Sequence, residues 1–368
     1  MVNTSVTPNI QGADSGRDYV LEIKNLKTHF TTNEGLVRAV DGVTMSLERG
    51  KTLAVVGESG CGKSITARSV LQIVEAPGKI VDGEILLHRK IKNGQVSTTD
   101  IARLGAKSKE MRDIRWKDIS MIFQEPMSSF SPVHTIGNQI REAVLTHFKV
   151  SKEEAHDRAV ESLRLVGIPR PDRMVDRYPF QLSGGMRQRA MIAMALIGNP
   201  DILIADEPTT ALDVTTQAQI LDLIRGLQAE MGMSLMMITH DLGVVAEMAD
   251  DVAVMYLGTV AEKGTVDEIF HSPQHPYTRA LLRSVPRVGE IETNERLYTL
   301  AGTVPNPYNR PKACPFHTRC DRFMKGLCDV VTPPEIEFGE GHSARCLLYT
   351  NAAQQWRDAQ SSSNVEVK

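Results

Sequence analysis

Alternating apolar and polar positions mark the start of the ordered chain. The segment VLEIKNLKTHF alternates as a strand does, and LVRAVDGVTMSLERG repeats the pattern after a turn at residues 33–35. Continuous apolar runs follow in TLAVVG, DILIAD and SLMMITH, and such runs are typical of buried parallel strands. A helix pattern, TTQAQILDLIRGLQAEMG, separates the last two runs. We predict an α/β fold in which an antiparallel sheet precedes a mostly parallel one.

Helical patterning dominates the chain from about residue 125 to residue 198. The segment SKEEAHDRAVESLRLVGI begins with a serine cap and ends at a glycine that a proline soon follows. Residues 88–118, rich in Lys, Arg and Gly, predict a surface hairpin or insertion. We therefore expect a helical subdomain inserted in the α/β domain.

Composition changes near both ends of the chain. Residues 1–18 are polar and predict a flexible leader, and a single large domain is expected over residues 19–285. Residues 286–349 are enriched in Pro, Cys, Asn and Arg and predict a small second module. Residues 350–368 predict a flexible tail.

Charge and hydropathy exclude several classes of protein. The formal net charge is −3, which argues against a protein whose main task is to hold nucleic acid. No run approaches the ~18 apolar residues of a membrane span, and the start lacks a signal-peptide pattern. We expect a globular protein of the cytosol.

A glycine-rich sequence follows the first buried strand. Residues 57–64, GESGCGKS, match G-x-x-x-x-G-K-[ST] and stand between an apolar strand and a helix pattern. In such a loop the backbone N–H groups bind phosphate oxygens, Lys63 reaches the β- and γ-phosphates, and Ser64 offers a hydroxyl to Mg²⁺. The alternative is a flexible glycine turn, which the position between strand and helix disfavours.

Acidic residues follow a second buried strand. Asp206 ends this strand and can hold Mg²⁺, while Glu207 can orient or deprotonate the water that attacks the γ-phosphate. His240 ends the next apolar run and is expected at the same edge of the sheet. The alternative interpretation is two carboxylates that cap a turn and an ordinary polar strand end.

A second anion-binding geometry lies at the start of another helix pattern. Ser183, Gly184 and Gly185 stand in LSGGM, directly before RQR and an apolar helix. One nucleotide can contact this helix start and the phosphate loop only if the two meet, within the chain or across a dimer.

The order of these motifs resembles the ATP-binding subunits of ABC transporters. The resemblance covers about residues 19–270 and rests on residues 57–64, Gln124, 182–186, 202–207, 211–213 and His240. It implies the ABC ATPase fold and a head-to-tail dimer, in which ATP lies between one subunit's phosphate loop and the other's signature LSGGM. Hydrolysis is therefore expected to require the dimer.

The resemblance also implies roles for single residues. Phe30 would stack on adenine, Gln124 would link Mg²⁺ and the attacking water to the membrane partner, and His240 would contact the γ-phosphate. An aromatic residue in a strand equally suits a core. The signature has Met186 where the family usually has Gln, and Ile65 replaces a frequent Thr. Neither departure removes a donor that the chemistry needs.

The complete prediction for the site has three parts. The nucleotide-binding residues are Phe30, Gly57, Ser59, Gly60, Cys61, Gly62, Lys63, Ser64, Ile65, Ser183, Gly184, Gly185 and Asp213, with Cys61 acting through its backbone. The catalytic residues are Glu207, His240 and Gln124. The Mg²⁺ ligands are Ser64, Gln124 and Asp206.

Later segments resemble one family of importers. These are QEPMSSFSPV from Gln124 to Val133, HPYTR at 275–279, and GTVPNP and CPFHTRC further on, and they resemble the ATPase subunits of oligopeptide and dipeptide importers. The resemblance extends to about residue 349. That family includes relatives that handle nickel, glutathione and certain oligosaccharides, so peptides are the leading prediction and these solutes the alternatives. A soluble ABC ATPase and an exporter motor are rival interpretations.

The resemblance implies partners and a location. We expect a homologous ATPase subunit, with a heterodimer favoured over a homodimer, two membrane-spanning permease subunits, and indirectly an extracytoplasmic solute-binding protein. Nucleic acid is not expected as a partner. The chain is placed at the cytoplasmic face of a bacterial inner membrane, as a peripheral subunit.

Four cysteines gather near the C-terminus. They are Cys314, Cys320, Cys328 and Cys346. In a reducing compartment such a set favours metal binding, by tetrahedral Zn²⁺ or a [4Fe–4S] cluster. Some peptide-importer relatives carry an iron–sulfur cluster on a similar set, so the resemblance favours the cluster, with Zn²⁺ and unligated cysteines as alternatives. His317 and His342 lie nearby as possible replacement ligands, although surface positions are expected for both.

Overall fold

The structure is a computed structural model that describes residues 16–90, 95–125, 129–285 and 300–363, with side chains to residue 359. The strands are β1 (Tyr19–Thr32), β2 (Gly35–Glu48), β3 (Thr52–Val56), β4 (Gly78–Lys90), β5 (Val96–Asp100), β6 (Ile119–Ile122), β7 (Ile202–Asp206), β8 (Ser234–Thr239), β9 (Asp251–Tyr256), β10 (Thr259–Thr265), β11 (Glu335–Glu337) and β12 (Ser343–Arg345). The α-helices are α1 (Lys63–Val70), α2 (Lys109–Asp113), α3 (Ile136–His147), α4 (Lys152–Leu165), α5 (Pro171–Met174), α6 (Gly184–Leu196), α7 (Val214–Met231), α8 (Leu242–Met248), α9 (Val266–His271), α10 (Pro276–Arg283) and α11 (Asn351–Ser363).

Two sheets form the framework. A four-stranded antiparallel sheet has the order β2-β1-β4-β5. An eight-stranded sheet has the order β11-β12-β10-β9-β3-β8-β7-β6, in which the five strands from β9 to β6 are parallel and β10, β12 and β11 add antiparallel. The predicted combination of an antiparallel and a mostly parallel sheet is therefore confirmed.

Burial on both faces explains the continuous apolar runs. Every residue of β3, β7 and β8 is buried. On one face, their side chains pack with α1 and the antiparallel sheet. On the other face, β7 and β8 pack with α3, α4, α6 and α7, and β3 packs with α8. A strand with two covered faces has no polar positions to alternate with, so parallel strands read as unbroken hydrophobic segments.

The helical insert follows the prediction, and residues 88–118 follow it only in part. Helices α3 to α6 lie between β6 and β7, as expected for the inserted subdomain, and β4 and β5 form the predicted hairpin. After the hairpin, however, Met111 and Ile114 are completely buried in the core under the antiparallel sheet. The surface prediction is wrong for these two residues. Most of the neighbouring positions are charged, so the sequence pattern did not show that Met111 and Ile114 are buried.

The C-terminal segment shares a hydrophobic core with β9 of the eight-stranded sheet. Strand β12 pairs with β10, so the segment extends the eight-stranded sheet. Phe316 and Cys314 are buried in the same cluster as Val254 and Tyr256 of β9. The predicted boundary at residue 286 falls within residues 286–299, which lie outside the described residues, and it stays a prediction.

The two chain ends complete the comparison with the sequence. The predicted leader, residues 1–18, lies almost entirely outside the described residues. The predicted flexible tail is wrong over α11, where Ala353 is completely buried and the Trp356 ring nitrogen donates to the Lys325 carbonyl at 2.9 Å. Within the described parts of the chain, no helix has the length and apolar character needed to cross a membrane.

Candidate nucleotide-binding site

The glycine-rich loop connects β3 to α1 in a conformation that demands glycine. Gly57 and Gly62 have φ values of 148° and 102°, in the region that side chains disfavour. A Cβ atom on Gly57 would lie 2.2 Å from the Met255 carbonyl oxygen, and one on Gly62 would lie 2.3 Å from the Ala39 carbonyl oxygen. The two glycines therefore permit both the backbone turn and its close contact with β9 and β2.

Lys63 begins α1 and folds back over the loop. Its ammonium group donates to the carbonyl oxygens of Gly57 at 2.7 Å and Glu58 at 3.1 Å, and the residue is buried. No acidic residue stands in the first turn of α1. The loop thus presents a buried cation and a helix N-terminus, which together favour a phosphate group.

Ser64 and Asp206 meet at the edge of the parallel sheet. The Ser64 hydroxyl donates to the Asp206 carboxylate at 3.0 Å, and Asp206 is only 2% exposed. Burial raises the pKa of Asp206; the hydrogen bond from Ser64 opposes the rise and the charge of Glu207 adds to it. A buried carboxylate beside a hydroxyl offers the oxygen ligands that Mg²⁺ prefers, so these residues fit the predicted metal.

Glu207 lies at the centre of a hydrogen-bonded group. Its carboxylate accepts from the Gln124 amide at 3.0 Å and from the Thr210 hydroxyl at 2.9 Å, and it lies 3.3 Å from the His240 ring. Its φ is 48°, and its backbone N–H donates to the Ile238 carbonyl at 2.8 Å. The unusual backbone conformation, which neighbouring β8 stabilises, turns the carboxylate towards the sheet edge.

The structure therefore brings together the three predicted catalytic residues, Glu207, Gln124 and His240. It also places beside Glu207 a residue that the sequence interpretation missed, Thr210. Thr210 stands three residues after Glu207, in the turn that follows β7. The only sequence signal for this residue was a hydroxyl at short spacing from an acid in a turn, which is too common to single out.

The signature lies at the start of α6. Ser183 caps this helix by accepting the Met186 N–H at 3.3 Å, and a Cβ atom on Gly185 would lie 2.7 Å from a methyl group of Thr216. Asp213 caps α7 by accepting the Thr216 N–H at 2.9 Å. The structure thus groups the signature with Asp213, while it groups the phosphate loop with Asp206.

Five further predicted residues lie in or near the loop or in β1. Phe30 of β1 is half-buried, and a Cβ atom on Gly78 would lie 2.5 Å from its ring. The side chain of Ile65 is partly buried and packs against the core. Cys61 is buried with its pKa raised by burial, and its carbonyl accepts the Gly258 N–H at 2.9 Å, which agrees with a backbone role. Ser59 and Gly60 are exposed at the tip of the loop.

The four C-terminal cysteines are free thiols, and three of them, Cys314, Cys320 and Cys328, belong to one core cluster. Cys320 is half-buried and the other three, Cys314, Cys328 and Cys346, are buried. Burial raises the pKa of Cys314 to about 11 and the pKa values of Cys320 and Cys346 to about 12. Within the described residues, no group of three or more His, Cys, Asp or Glu side chains is arranged to hold a metal ion.

The two histidines near this cluster bind other partners. The His317 ring lies 2.8 Å from the Cys314 carbonyl oxygen. His342 is 4% exposed and its ring lies 2.9 Å from the buried Glu262 carboxylate, so the expected surface position is wrong. The pattern around His342 is polar, and only the arrival of β12 beside β10 buries it.

Comparisons with known proteins agree with this geometry. Residues 40–210 match the model of the ABC transporter family, and residues 261–328 match the C-terminal region of oligopeptide/dipeptide transporters. The chain is 49% identical to the dipeptide transport ATP-binding protein DppD of Bacillus subtilis, over 91% of this chain and 96% of that protein. It is 50% identical to the oligopeptide transport ATP-binding protein OppD of the same organism, over 89% of this chain and 88% of that protein.

Solved structures show the same fold. A dimeric post-hydrolysis state of the ATP-binding cassette MJ0796, bound to ADP and Pi, superposes with a TM-score of 0.57 at 27% identity, covering 67% of this chain and 98% of that one. The cassette cbiO1 from Clostridium perfringens, part of an ABC transporter complex, has a TM-score of 0.56 at 27% identity, covering 69% of this chain and 92% of that one. The chain belongs to the ABC transporter family as an ATP-hydrolysing, ATP-binding subunit with the C-terminal region of the oligopeptide/dipeptide transporters.

Proposed function

We propose that the chain hydrolyses ATP to drive the import of dipeptides or oligopeptides through a membrane transporter. The observation that carries this proposal is 49% identity to a dipeptide transport ATP-binding protein over 91% of the chain. The group formed by Glu207, Gln124 and His240 supports turnover of ATP rather than binding alone. Nickel, glutathione and oligosaccharides are the alternative solutes.

We assign the phosphate end of ATP to the loop at residues 57–64. The triphosphate would replace the loop carbonyl groups as the partner of Lys63, because phosphate oxygens are charged acceptors and stronger ones. Ser64 and Asp206, with the Gln124 side-chain carbonyl, would hold Mg²⁺, which supplies charge neutralisation to the phosphate oxygens. Phe30 is proposed as the adenine contact.

Glu207 is proposed as the base that receives the proton of the attacking water. Its carboxylate already accepts two hydrogen bonds, from Gln124 and Thr210, which fix its direction. His240 lies on its other oxygen and is 63% exposed, so its ring can turn from Glu207 towards a γ-phosphate. Thr210 is a positioning residue, since it acts on the water only through Glu207.

The signature and Asp213 would complete a site on another ATPase subunit. In this chain Gly185 packs against Thr216 of α7, whereas Ser64 of the phosphate loop contacts Asp206. Two subunits in head-to-tail contact would bring each signature to the other's ATP. The partner is proposed to be a homologous ATPase subunit, and a heterodimer is favoured over a homodimer.

The proposed seat of the two permease subunits is the segment from Gln124 to Gly137, of which residues 126–128 lie outside the described residues. Large apolar side chains are exposed on this side of the molecule: Phe123 is 38% and Val133 is 73% exposed. Docking there would connect the permeases to Glu207 through Gln124. The chain would then lie at the cytoplasmic face of a bacterial inner membrane, with a solute-binding protein as an indirect partner.

We also propose an iron–sulfur cluster on the four C-terminal cysteines. The burial of Cys314, Cys328 and Cys346 and the half-burial of Cys320 support this, although within the described residues they do not form a metal site. Zn²⁺, the alternative, needs its four sulfur atoms within about 4 Å of each other, since each Zn–S bond is about 2.3 Å. Iron and acid-labile sulfide in anaerobically purified protein, both lost in Cys346→Ser, would support the cluster; stoichiometric zinc or no metal would refute it.

The import function is tested by uptake in cells that carry the chain as their sole copy. Labelled dipeptides, oligopeptides, nickel and oligosaccharides are offered to cells with the wild-type chain, Glu207→Gln or Glu230→Gln, an exposed control on α7. We expect Glu207→Gln to abolish peptide uptake alone, and Glu230→Gln to retain it. Loss of another solute would reassign the cargo, and unchanged uptake of every solute would refute an import function.

A further inference from the structure

One arginine connects the C-terminal segment to the phosphate loop. Arg319 lies in the short 3-10 turn His317–Arg319, and its two terminal nitrogen atoms donate to the two carboxylate oxygens of Glu58 at 2.6 and 3.0 Å. The Arg319 side chain is 3% exposed. A buried, bidentate arginine–carboxylate contact is among the strongest and most directional polar contacts in proteins.

Aromatic residues fix both partners of this ion pair. The Tyr277 hydroxyl accepts the Glu58 backbone N–H at 3.0 Å, and the Tyr256 hydroxyl accepts from Arg319 at 3.4 Å. Phe316, three residues before Arg319, packs on both tyrosine rings with centroid distances of 5.3 Å. The ion pair is therefore supported by β9, by α10 and by its own segment.

Glu58 places a negative charge in the loop that is assigned to the phosphate groups of ATP. It is the second residue of the phosphate loop, and its carbonyl oxygen is 3.1 Å from the Lys63 ammonium group. An uncompensated carboxylate in this loop would repel a triphosphate bound to the loop, because like charges in a half-buried site interact strongly. Arg319 supplies the compensating positive charge from the opposite end of the sequence.

We propose that Arg319 is a positioning residue that sets the affinity for ATP, because it neutralises the carboxylate of Glu58 in the phosphate loop. The C-terminal segment thereby acts on nucleotide binding as well as on stability. This inference rests on the assignment of residues 57–64 as the ATP phosphate loop. It concerns affinity, since neither side chain reaches the hydrogen-bonded group at Glu207 that is assigned to hydrolysis.

The test uses the full chain and measures binding of a fluorescent ATP analogue and the KM and kcat of ATP hydrolysis. We expect Arg319→Gln to raise the KM for ATP about tenfold with kcat within about twofold, the size of one charge-assisted hydrogen bond. Arg319→Lys, which keeps the charge, is expected to stay within about threefold of wild type. The double variant Glu58→Gln with Arg319→Gln is expected to regain wild-type affinity, because the repelling charge is gone.

Arg310→Gln provides the matched control. Arg310 makes a similar half-buried ion pair from the same segment, to Asp41 of β2 at 2.6 Å, and it does not contact the phosphate loop. A purely structural role for Arg319 would make both variants lower the melting temperature and leave the KM for ATP unchanged, which would overturn the proposal. If Arg319→Gln does not fold, Glu58→Gln alone decides: a KM at or below wild type supports the proposal and a raised KM overturns it.

Lys63→Ala separates this inference from the assignment on which it rests. Loss of ATP binding in Lys63→Ala together with normal affinity in Arg319→Gln would refute only the role of Arg319. Normal ATP binding in Lys63→Ala would refute the assigned phosphate loop itself.

Discussion

At the scale of single residues, Asp206 at the end of β7 carries a charge that lowers the stability of the fold and that the proposed function needs. Asp206 is buried, and burial raises the pKa of its carboxyl group above the usual value of 3.8. Its ionised form is therefore less stable in the native chain than in the unfolded one, where water solvates the charge. In the proposed function, this charge is needed because the Asp206 carboxylate would bind the Mg²⁺ ion that accompanies the phosphate groups of ATP.

Asp206→Asn tests this trade between stability and function. The native state binds more protons than the unfolded state just above pH 3.8, so ionised Asp206 lowers stability as the pH rises through that range and at neutral pH. We expect Asp206→Asn to raise the melting temperature at pH 7 by about 2 °C. The same variant is expected to lose ATP hydrolysis, as scanning calorimetry and phosphate release would show.

Asp118→Asn is the matched control for that experiment. Burial raises the pKa of Asp118 to about 6, and this carboxyl lies at the start of β6, outside the proposed site. We expect Asp118→Asn to keep ATP hydrolysis near the wild-type rate. Full hydrolysis by Asp206→Asn, or its loss in both variants, would contradict the role of Asp206.

At the scale of elements, the helices and strands depend on different kinds of information. The apolar pattern predicted β3, β7, β8 and α7 because these elements are buried on two faces or along one clear stripe. Helix α11 was not predicted, since its composition is polar and its described contacts with the core come from three residues, Ala352, Ala353 and Trp356. A few tertiary contacts stabilise this helix, and propensity alone does not show them.

Trp356→Ala tests whether α11 is part of the folded unit. The ring packs against the C-terminal core and its nitrogen donates to the Lys325 carbonyl at 2.9 Å. We expect the variant to lower the free energy of unfolding by about 2 kcal/mol, measured by denaturant titration. Gln355→Ala, an exposed neighbour, is expected to have no measurable effect. If Trp356→Ala and wild type were equally stable, α11 would not be part of the folded unit and the prediction of a flexible tail would stand.

At the scale of the whole molecule, the arrangement of phosphate-binding ends favours an assembly. Ser64 at the start of α1 contacts Asp206, whereas Gly185 at the start of α6 packs against Thr216, whose backbone N–H donates to Asp213. A second subunit would allow both ends to contact one ATP. The relative bound to ADP and Pi is described as a dimer, which supports this proposal.

Ser183→Asp separates assembly from folding. Aspartate caps a helix as well as serine does, so α6 remains intact, but its charge would meet the triphosphate held by the partner subunit. We expect at least a tenfold lower rate of ATP hydrolysis with unchanged ATP binding to the phosphate loop. Ser151→Asp, the corresponding cap of α4, is the control and keeps the wild-type rate. An unaffected rate in Ser183→Asp would remove the signature from the active site.

Local chemistry made much of the site predictable from the sequence. The loop at residues 57–64, the pair Asp206 and Glu207, and His240 each stand directly after a buried strand, so their positions in the fold follow from the strand pattern. Parallel strands end at one edge of a sheet, and that rule alone brings these residues together. Hydrogen bonds from Ser64 to Asp206 and from Gln124 to Glu207 then follow the predicted grouping.

Only the tertiary structure decided the contacts between segments that are distant in sequence and carry no periodic signal. Arg319 contacts Glu58, and His342 contacts Glu262. Each pair forms because an irregular part of the C-terminal segment packs on the eight-stranded sheet. Burial then requires that each charged or polar side chain has a partner of opposite charge or a hydrogen-bond partner. A polar residue in such a segment reads as a surface residue in the sequence, because the sequence shows its composition but not the surface that covers it.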